Sequence, residues 1–309
     1  MAAKRSGATP AQASARGLTL CTILGKTGPS LGVRTGHGIL DVARAARARR
    51  VRAPLSVDDV LRGSDLAGLL RLVADAERGK KGFLLDENAV AFGPCVIRPE
   101  KIVMMGFNYR RHCAEVKLPV PATPTFFNKF NNSLLGHGGT IHLPVKVAKA
   151  FDYEAELVVV MGKTARDVSP ADALAHVFGY CTGNDFSARD LQFKTSQFML
   201  GKSCDGFAPI GPWLVGADLV GDPQKLRIEC RVNGEPRQSS NTDDMIFSCA
   251  ELVSYASQHM TLQPGDLLFT GTPEGVIQGR PEAERVWLKA GDEISTEVEK
   301  LGELRFRLA

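Results

Sequence analysis

The sequence predicts a mixed α/β protein that is rich in β-strands. Many short runs of apolar and β-branched residues are separated by Pro-Gly, Asn-Gly and Gly-Asp turns, a pattern typical of strands joined by tight connections. Numerous strands with few helices favour a β-rich core over a doubly wound parallel sheet. The 309 residues, 44% of them hydrophobic, are enough for one large domain and a smaller one.

The first third of the chain predicts a small α+β unit. The runs LTLCTIL and LGVRTGHGILDV, joined by the turn-rich GKTGPS, predict a hairpin. Residues 56–78, with Ser56 as a candidate N-cap, predict one or two short helices broken near Gly63 and Gly68. We therefore expect a disordered tail over residues 1–16, a small N-terminal domain over residues 17–97 and a larger domain over residues 98–309.

The larger domain is predicted to consist mainly of strands. The runs that predict strands are KIVMMG, AELVVVMG, LRIECRVNG, DLLFTG, ERVWLK, DEISTEVE and ELRFRL. Two stretches have clear helical periodicity, namely SPADALAHV and SCAELVSYASQH.

Composition excludes several classes of protein. No segment approaches the roughly 20 consecutive apolar residues that span a bilayer, so we expect no membrane protein. The seven cysteines are scattered and nowhere spaced as C-x-x-C. This argues against a disulfide framework or a zinc knuckle and for a reducing, cytoplasmic environment.

The positive charge is concentrated near the N-terminus. Residues 1–52 hold ten Lys or Arg against the single acid Asp41, a net +9 within a total of +4, so the remainder carries −5. No aromatic residue lies within the arginine-rich stretch 44–52, as a nucleic-acid groove would require, so a solvated loop or helix is the favoured interpretation. The first residues are basic and acid-poor like a transit peptide, without the apolar stretch of a secretory signal.

Three carboxylates are candidate ligands for a hard divalent cation. In DYEAELVVV, Glu154 and Glu156 leave the same face of a strand, and Asp185 follows the apolar run HVFGYCTG. Mg²⁺ and Mn²⁺ prefer such oxygen ligands. Taken singly, each motif has an ordinary alternative: an acidic outer strand face for the glutamates, and a helix N-cap at Asp185 or Ser187.

Further polar motifs could take part in proton transfer or anion binding. In NYRRHCAE, His112 and Glu115 share one face if the segment is helical, and form a plausible proton-transfer pair or a common surface pair. Lys202 in MLGKSCDG could stabilise an enolate or remain a solvated lysine. The glycines and Thr272 of PGDLLFTGTPEGV could bind an anion or form an ordinary turn.

One competing motif predicts a different enzyme. GPSLG, residues 28–32, matches the G-x-S-x-G nucleophile elbow around Ser30. The elbow requires a helix after the serine, whereas the residues that follow predict a strand, so we do not expect a serine hydrolase.

Taken in order, these pieces resemble the fumarylacetoacetate hydrolase superfamily. The similarity covers about residue 100 to the C-terminus, and the order of the motifs is more specific than any one of them. The matching segments are GFNYRRHCAE, PTFFNKF, DYEAELVVVMGK, GYCTGNDFSARDLQ, LGKSCDGFAPIGPW, VNGEPRQSSNTDDMIF and PGDLLFTGTPEGV.

The resemblance implies a mixed β-roll-like catalytic domain behind a small N-terminal α+β domain, and a homodimer. It implies Mg²⁺ or Mn²⁺ as cofactor and a small 2-oxo or diketo acid as substrate. The implied site residues are the metal ligands Glu154, Glu156 and Asp185, the catalytic residues His112, Glu115 and Lys202, and the substrate-binding residues Arg189, Gln192, Gly271 and Thr272.

The implied activity is metal-dependent hydrolysis of a C–C bond in an acylpyruvate or fumarylpyruvate through a metal-stabilised enolate. Glu115, assisted by His112, would deprotonate the attacking water, and Lys202 would offset the oxyanion charge. A decarboxylase or isomerase of a 2-oxo or 2-hydroxydienoic acid in aromatic catabolism would use the same enolate. A non-catalytic metal-binding scaffold is a further alternative, against which the presence of all three catalytic residues argues.

The chain departs from the family pattern in two places. Relatives often have prolines or small residues after the lysine that matches Lys129, whereas this chain has NKFNNSLLGHG. The role of Lys129 is therefore left open. A lengthened loop at residues 276–287 precedes LKAGD and lies next to the expected site.

Overall fold

The computed structural model describes residues 15–79 and 81–309. These residues form nineteen strands, most of them short. The strands are β1 (Thr19–Gly25), β2 (Gly28–Thr35), β3 (Gly38–Asp41), β4 (Leu84–Leu85), β5 (Ile102–Gly106), β6 (Thr125–Lys129), β7 (Leu134–Leu135), β8 (Gly139–Ile141), β9 (Phe151–Asp152), β10 (Ala155–Met161), β11 (Val177–Asn184), β12 (Ser187–Ala188), β13 (Ala208–Pro209), β14 (Leu214–Gly216), β15 (Arg227–Val232), β16 (Glu235–Asn241), β17 (Leu267–Phe269), β18 (Glu293–Val298) and β19 (Gly302–Leu308).

Nine α-helices accompany these strands in the described residues, and only two are longer than ten residues. They are α1 (Val42–Arg49), α2 (Val57–Leu61), α3 (Leu66–Glu77), α4 (Arg110–Glu115), α5 (Pro170–Ala173), α6 (Arg189–Gln192), α7 (Met199–Lys202), α8 (Ala217–Val220) and α9 (Cys249–His259). The prediction of a mixed α/β, strand-rich fold is confirmed.

A ten-stranded sheet forms the centre of the molecule. Its strand order is β4-β3-β2-β1-β14-β11-β10-β17-β5-β6, antiparallel except for the parallel pair β17 and β5. The neighbouring strands β10 and β11 are in register with Ala155 opposite Asn184. Glu154, just before Ala155, and Asp185, just after Asn184, therefore lie side by side.

Strand β10 is buried on both faces of the sheet. Leu157, Val159 and Met161 join one hydrophobic cluster, while Val158 and Val160 join the cluster on the opposite face. This double burial explains why the strand is a continuous apolar run rather than an alternating one. A second sheet, β16-β15-β18-β19-β8, contributes its apolar side chains to the first of these clusters.

The N-terminal region is continuous with the large sheet. Strand β1 pairs with β14 through Thr19 opposite Val215, so the sheet runs through both predicted domains. The predicted domain boundary between residues 97 and 98 therefore stays a prediction. Ser56 caps α2 with a reciprocal capping box, as expected. Gly68, predicted to break a helix, instead lies inside α3. Only glycine fits at this position, because a Cβ there would be 1.8 Å from the carbonyl oxygen of Arg52.

The boundary of the predicted disordered tail requires a correction. Ala15 and Arg16 belong to a 3-10 turn that packs on the body: Ala15 is 5% exposed, and the Arg16 carbonyl approaches Gly216 closely enough that a Cβ there would be 1.9 Å away. The remaining fourteen residues of that prediction lie outside the described residues.

Two further sequence interpretations can be compared with the structure. ERVWLK, predicted as a strand, is not one: it includes the end of a 3-10 turn, Glu282–Glu284, and only Leu288 makes an isolated bridge. Ser30 lies inside β2, which continues as a strand, so the nucleophile elbow is absent.

All seven cysteines are free. Within the described part of the chain, no helix is long and apolar enough to cross a membrane.

Candidate metal and proton-transfer site

Three buried carboxylates come together where β10 and β11 meet. Glu154 immediately precedes β10, Glu156 lies within it, and Asp185 follows β11. The amide of Asp185 donates to the Glu154 carbonyl at 2.9 Å, which fixes the two segments together. One ligand oxygen from each carboxylate lies within 4.8 Å of the others, and the residues are 6%, 1% and 1% exposed. The structure thus brings together the three predicted ligands.

Three cationic side chains surround this cluster. Lys202 donates from Nζ to Glu154 Oε2 and to Asp185 Oδ2, both at 2.7 Å. Arg189 lies 2.6 Å from Glu154 Oε1. Lys129, whose role the sequence left open, lies with Nζ 2.6 Å from Asp185 Oδ1 and donates to the carbonyls of Phe186 and Phe207. Lys129 is therefore a buried neighbour of the cluster.

Glu156 is the member of the cluster without a cationic partner in the described residues. Its Oε2 accepts a hydrogen bond of 2.7 Å from the amide of Gly271. Burial, together with the charges of Asp185 and Glu154, raises the pKa of Glu156 well above its usual range. Burial would also raise the pKa of Glu154, but Arg189 and Lys202 lower that pKa to about 2.

The cluster fits a divalent cation. Asp152, Glu154 and Asp185 are paired with Lys129, Arg189 and Lys202, so their charges balance without Glu156. One oxygen each from Glu154, Glu156 and Asp185 converges on the others, and carboxylate oxygens are the hard donors that Mg²⁺ and Mn²⁺ prefer. The three carboxylates would hold such an ion, which would offset the repulsion felt by Glu156.

A histidine–glutamate pair lies on the short helix α4. His112 Nδ1 is 3.0 Å from Glu115 Oε2, and Glu115 Oε1 accepts from the amide of Gly275 at 2.9 Å. An ionised carboxylate only accepts hydrogen bonds, so we assign the proton to Nδ1 and leave Nε2 with its lone pair. His112 lines the cavity described below, whereas Glu115 lies behind it.

A backbone outlier supports the histidine. Phe107 has φ +58°, a conformation that is rare for a bulky residue, and its ring stacks on His112 at 6.3 Å with an interplanar angle of 12°. Such outliers are concentrated at functional sites. No sequence pattern distinguished Phe107, because a strained backbone dihedral angle cannot be recognised from the residue type.

Asn108 links the helix α4 to the carboxylate cluster. Its side-chain amide donates to the Thr270 carbonyl at 2.7 Å, and the next amide along the chain is that of Gly271, which donates to Glu156. Because the peptide unit is planar, holding its carbonyl also aims its N–H group. Gly271 has φ +94°, and a Cβ there would lie 2.7 Å from Cβ of Asn108. Gly271 thus orients Glu156, and the contact with substrate that sequence similarity implies for Gly271 stays a prediction.

Arg189 also has a supporting position. Its Nε donates to Asp152 Oδ2 at 2.9 Å and its Nη1 donates to Gln192 Oε1 at 2.9 Å, in addition to the contact with Glu154. All three guanidinium nitrogens are therefore engaged by protein groups. Gln192 keeps its amide nitrogen for the cavity, since its oxygen is occupied by Arg189.

A cavity of about 60 Å³ joins the carboxylate cluster to the histidine. Every predicted site residue lines it except Glu115 and Gly271, which support lining residues from behind. Aromatic side chains form much of the remaining wall, and Gln278 enters from the lengthened loop. The lining residues are Met105, Gly106, Phe107, His112, Val116, Phe127, Glu154, Glu156, Asp185, Arg189, Gln192, Phe193, Phe198, Lys202, Thr272 and Gln278.

Gly279→Ala is expected to lower turnover without weakening metal binding. The added Cβ would lie 2.3 Å from Cδ of Glu115 and 2.6 Å from its Oε2, so Glu115 would have to move away from His112. A displacement of this size costs on the order of 100-fold in rate when a reacting group is misplaced. Turnover and Mn²⁺ affinity should be measured beside Gly17→Ala, where a Cβ meets no atom within 4 Å. Unchanged turnover in Gly279→Ala would contradict the importance of this contact.

Comparison with known proteins identifies relatives that match most of the chain. Residues 101–309 match the family described as fumarylacetoacetate (FAA) hydrolase, C-terminal. The chain is 40% identical over 280 residues to the mitochondrial oxaloacetate tautomerase FAHD2A of Bos taurus, covering 89% of this chain and 86% of the relative. It is 44% identical over 221 residues to the human protein of that name, covering 71% and 69%.

Solved structures with similar folds include a hydrolase and an isomerase. Fumarylpyruvate hydrolase from Pseudomonas aeruginosa, in complex with Mn²⁺ and pyruvate, is 34% identical with a TM-score of 0.63, covering 71% of this chain and 91% of that one. The 5-carboxymethyl-2-hydroxymuconate delta-isomerase from Mycobacterium smegmatis is 29% identical with a TM-score of 0.72, covering 94% and 98%.

Proposed function

The chain belongs to the fumarylacetoacetate hydrolase family, and from this premise we propose that it is a divalent-metal-dependent keto–enol tautomerase of oxaloacetate. The observation that carries the proposal is that the three carboxylates and a histidine line the same cavity. Moving a proton between C3 and the C2 oxygen requires a base beside an electron-withdrawing centre and no second substrate. Relatives that are about 40% identical are named oxaloacetate tautomerases, which supports this assignment.

The residues of the chain divide the work of proton transfer. A Mg²⁺ or Mn²⁺ ion held by the carboxylates would withdraw electrons from the C2 oxygen and the neighbouring carboxylate of the substrate. His112 accepts the C3 proton at Nε2 and returns a proton to oxygen, while Glu115 holds Nδ1–H and stabilises the imidazolium. Lys202 offsets negative charge on the enolate oxygen. In this mechanism Glu115 assists His112, the reverse of the order expected from the sequence.

The test is an activity screen of the metal-reconstituted protein. We expect accelerated loss of the enol absorbance of oxaloacetate, with neither CO₂ release nor C–C cleavage at a comparable rate. Acylpyruvates and 2-hydroxydienoic acids should be turned over more slowly. Absence of tautomerisation above the metal-only rate would exclude the proposal, whichever of the other substrates proved active.

Hydrolysis of an acylpyruvate is the second candidate. The similarity to a fumarylpyruvate hydrolase that binds Mn²⁺ and pyruvate supports it, since the same histidine could activate water. Decarboxylation remains a third use of the same enolate.

A homodimer is also proposed. Phe193, Met199 and Leu200, beside the cavity, are 52%, 42% and 53% exposed, an apolar surface that a second copy could cover. Light scattering in solution should give twice the mass of 33.3 kDa, and a monomeric mass would contradict the proposal.

A further inference from the structure

The lengthened loop at residues 276–287 contributes one side chain to the catalytic cavity. Gln278 lines the cavity together with the carboxylate ligands and His112. Nothing in the proposed proton transfer uses this residue. Its position and its unused hydrogen-bonding groups indicate a role in choosing the substrate.

The backbone of Gln278 is tied to the carboxylate cluster. The amides of Ile277 and Gln278 donate to the two oxygens of Asp152, at 3.0 and 2.9 Å. Asp152 is paired at 2.9 Å with Arg189, which in turn lies 2.6 Å from Glu154. All the links in this chain are buried or partly buried. The backbone of Gln278 is therefore held at a fixed distance from the atoms that would hold the metal.

The loop is also anchored near the catalytic histidine. Gly275 donates its amide to Glu115 and accepts at its carbonyl from the Tyr153 hydroxyl at 2.9 Å. Gly279 contacts Glu115 so closely that no side chain fits. These contacts, on both sides of Gln278, make its place in the wall well defined.

The side chain of Gln278 differs from the other glutamines of the site in having no protein partner in the described residues. Gln192 accepts from Arg189. Gln238 accepts from the amide of Ala155 and donates to Thr272 and Pro273. The amide of Gln278 retains two N–H donors and one acceptor for a ligand.

The cations of the cavity wall are already engaged. Lys202 is paired with Glu154 and Asp185, and Arg189 with Asp152 and Glu154. The proposed mechanism assigns the third donor of Lys202 to the enolate oxygen, so a second carboxylate on the substrate would find amide N–H groups rather than an unassigned positive charge among the lining residues. Ionised acceptors make the stronger hydrogen bonds with such donors.

We propose that Gln278 is a specificity-determining residue that donates a hydrogen bond to the carboxylate beyond C3 of a short 2-oxo dicarboxylic acid. The inference rests on the proposed function, which supplies oxaloacetate as that acid. It assigns the lengthened loop a function: the loop carries the group that recognises the substrate tail.

The test compares two acids of equal chain length. Oxaloacetate and 2-oxobutyrate share the 2-oxo acid end and differ in the tail, where a methyl group replaces the carboxylate. Dissociation constants for both are measured by calorimetry on the Mg²⁺-loaded protein, together with the KM and kcat for oxaloacetate. Gln278→Leu removes the donors at similar size, and Gln278→Glu adds a like charge. Gln258→Glu, on the exposed side of α9, is the charge-matched control.

We expect Gln278→Leu to weaken oxaloacetate binding roughly tenfold or more, the range for losing a hydrogen bond to a charged group. Binding of 2-oxobutyrate should change less than about threefold on the same basis, since its methyl tail accepts no hydrogen bond. Gln278→Glu should weaken oxaloacetate binding further, and the loss in both variants should appear in KM more than in kcat.

The outcomes separate this inference from the proposed function. Equal changes for the two acids, or no change for either, would overturn the role of Gln278 even in an active tautomerase. Failure of the wild-type protein to tautomerise oxaloacetate would overturn the proposed function, while the ratio of the two dissociation constants would still decide the role of Gln278. Calorimetry without bound Mg²⁺, and melting temperatures of each variant, identify a loss caused by misfolding.

Discussion

Glu156→Gln is expected to abolish divalent-cation binding and turnover while leaving the metal-free protein folded. The glutamine keeps the size of the side chain and an oxygen that can accept from Gly271, but it lacks the charge that attracts the ion. Chelation of the wild-type protein should have the same effect on turnover, reversed by Mg²⁺ or Mn²⁺. Full activity after chelation, or unchanged metal affinity in the variant, would exclude the site.

The stability of this variant has an expected sign. Burial and the neighbouring carboxylates raise the pKa of Glu156 above the usual 4.5, so the folded metal-free protein binds a proton that the unfolded chain has released. Its stability therefore falls as the pH rises above the usual carboxyl range, and glutamine removes this loss. At neutral pH the metal-free variant should melt no lower than wild type. On adding Mn²⁺, wild type should gain melting temperature and Glu156→Gln should not.

A second carboxylate variant provides the control, and the melting of all proteins is measured by calorimetry across pH. Asp292→Asn changes a carboxylate that is 8% exposed and bonded to Asn233 and to the Lys289 amide, away from the metal ligands. It should keep the full Mn²⁺-dependent gain in melting temperature. A metal-free Glu156→Gln protein that melts well below wild type would mean that this carboxylate stabilises the fold by itself.

The sequence predicted the elements whose local pattern agreed with their tertiary setting. Ser56, the candidate N-cap, begins a helix with a capping box, and the helix predicted over SCAELVSYASQH begins with a capping box at Ser248. ERVWLK has the residue types of a strand, yet it forms no regular strand and makes only one isolated bridge. Gly68 has the residue type of a helix breaker, but a close approach to Arg52 is what requires glycine there. Local propensity does not encode such contacts.

The sequence singled out most of the residues that line the candidate site, but not the contacts that position them. The order of motifs selected the carboxylates and His112, all of which line one cavity. Asn108 and Asp152 were missed because their roles consist of hydrogen bonds to segments more than 100 residues away in sequence, to Thr270 and to the loop at residues 277–278. No spacing rule connects such positions. An interior polar residue becomes informative only when its partners are known.

The hydrogen bonds of Glu115 explain why its replacement should be severe. Its two oxygens accept from two different donors, Nδ1 of His112 and the amide of Gly275. An amide side chain offers one acceptor and one donor, so Glu115→Gln would place an NH₂ group against one of them. The imidazole can relieve this by shifting its proton to Nε2. His112 would then present a donor to the cavity where the mechanism needs a base.

Glu115→Gln is therefore expected to reduce oxaloacetate tautomerisation by about 10²- to 10⁴-fold, the usual contribution of a positioned base. Hydrolysis of an acylpyruvate, if present, should fall similarly, because the attacking water must also lose a proton. Loss of CO₂ from oxaloacetate needs an electron sink at the C2 oxygen but no base, so decarboxylation should fall much less. Mn²⁺ affinity should stay within a few-fold, since the three carboxylate ligands are untouched.

The comparison is made on a single preparation beside Glu282→Gln, an exposed glutamate of the lengthened loop. Equal losses in tautomerisation and decarboxylation would mean that Glu115 only holds the loop at Gly275. Retention of full tautomerisation would remove the histidine–glutamate pair from the mechanism and leave the carboxylate cluster and Lys202 as its centre.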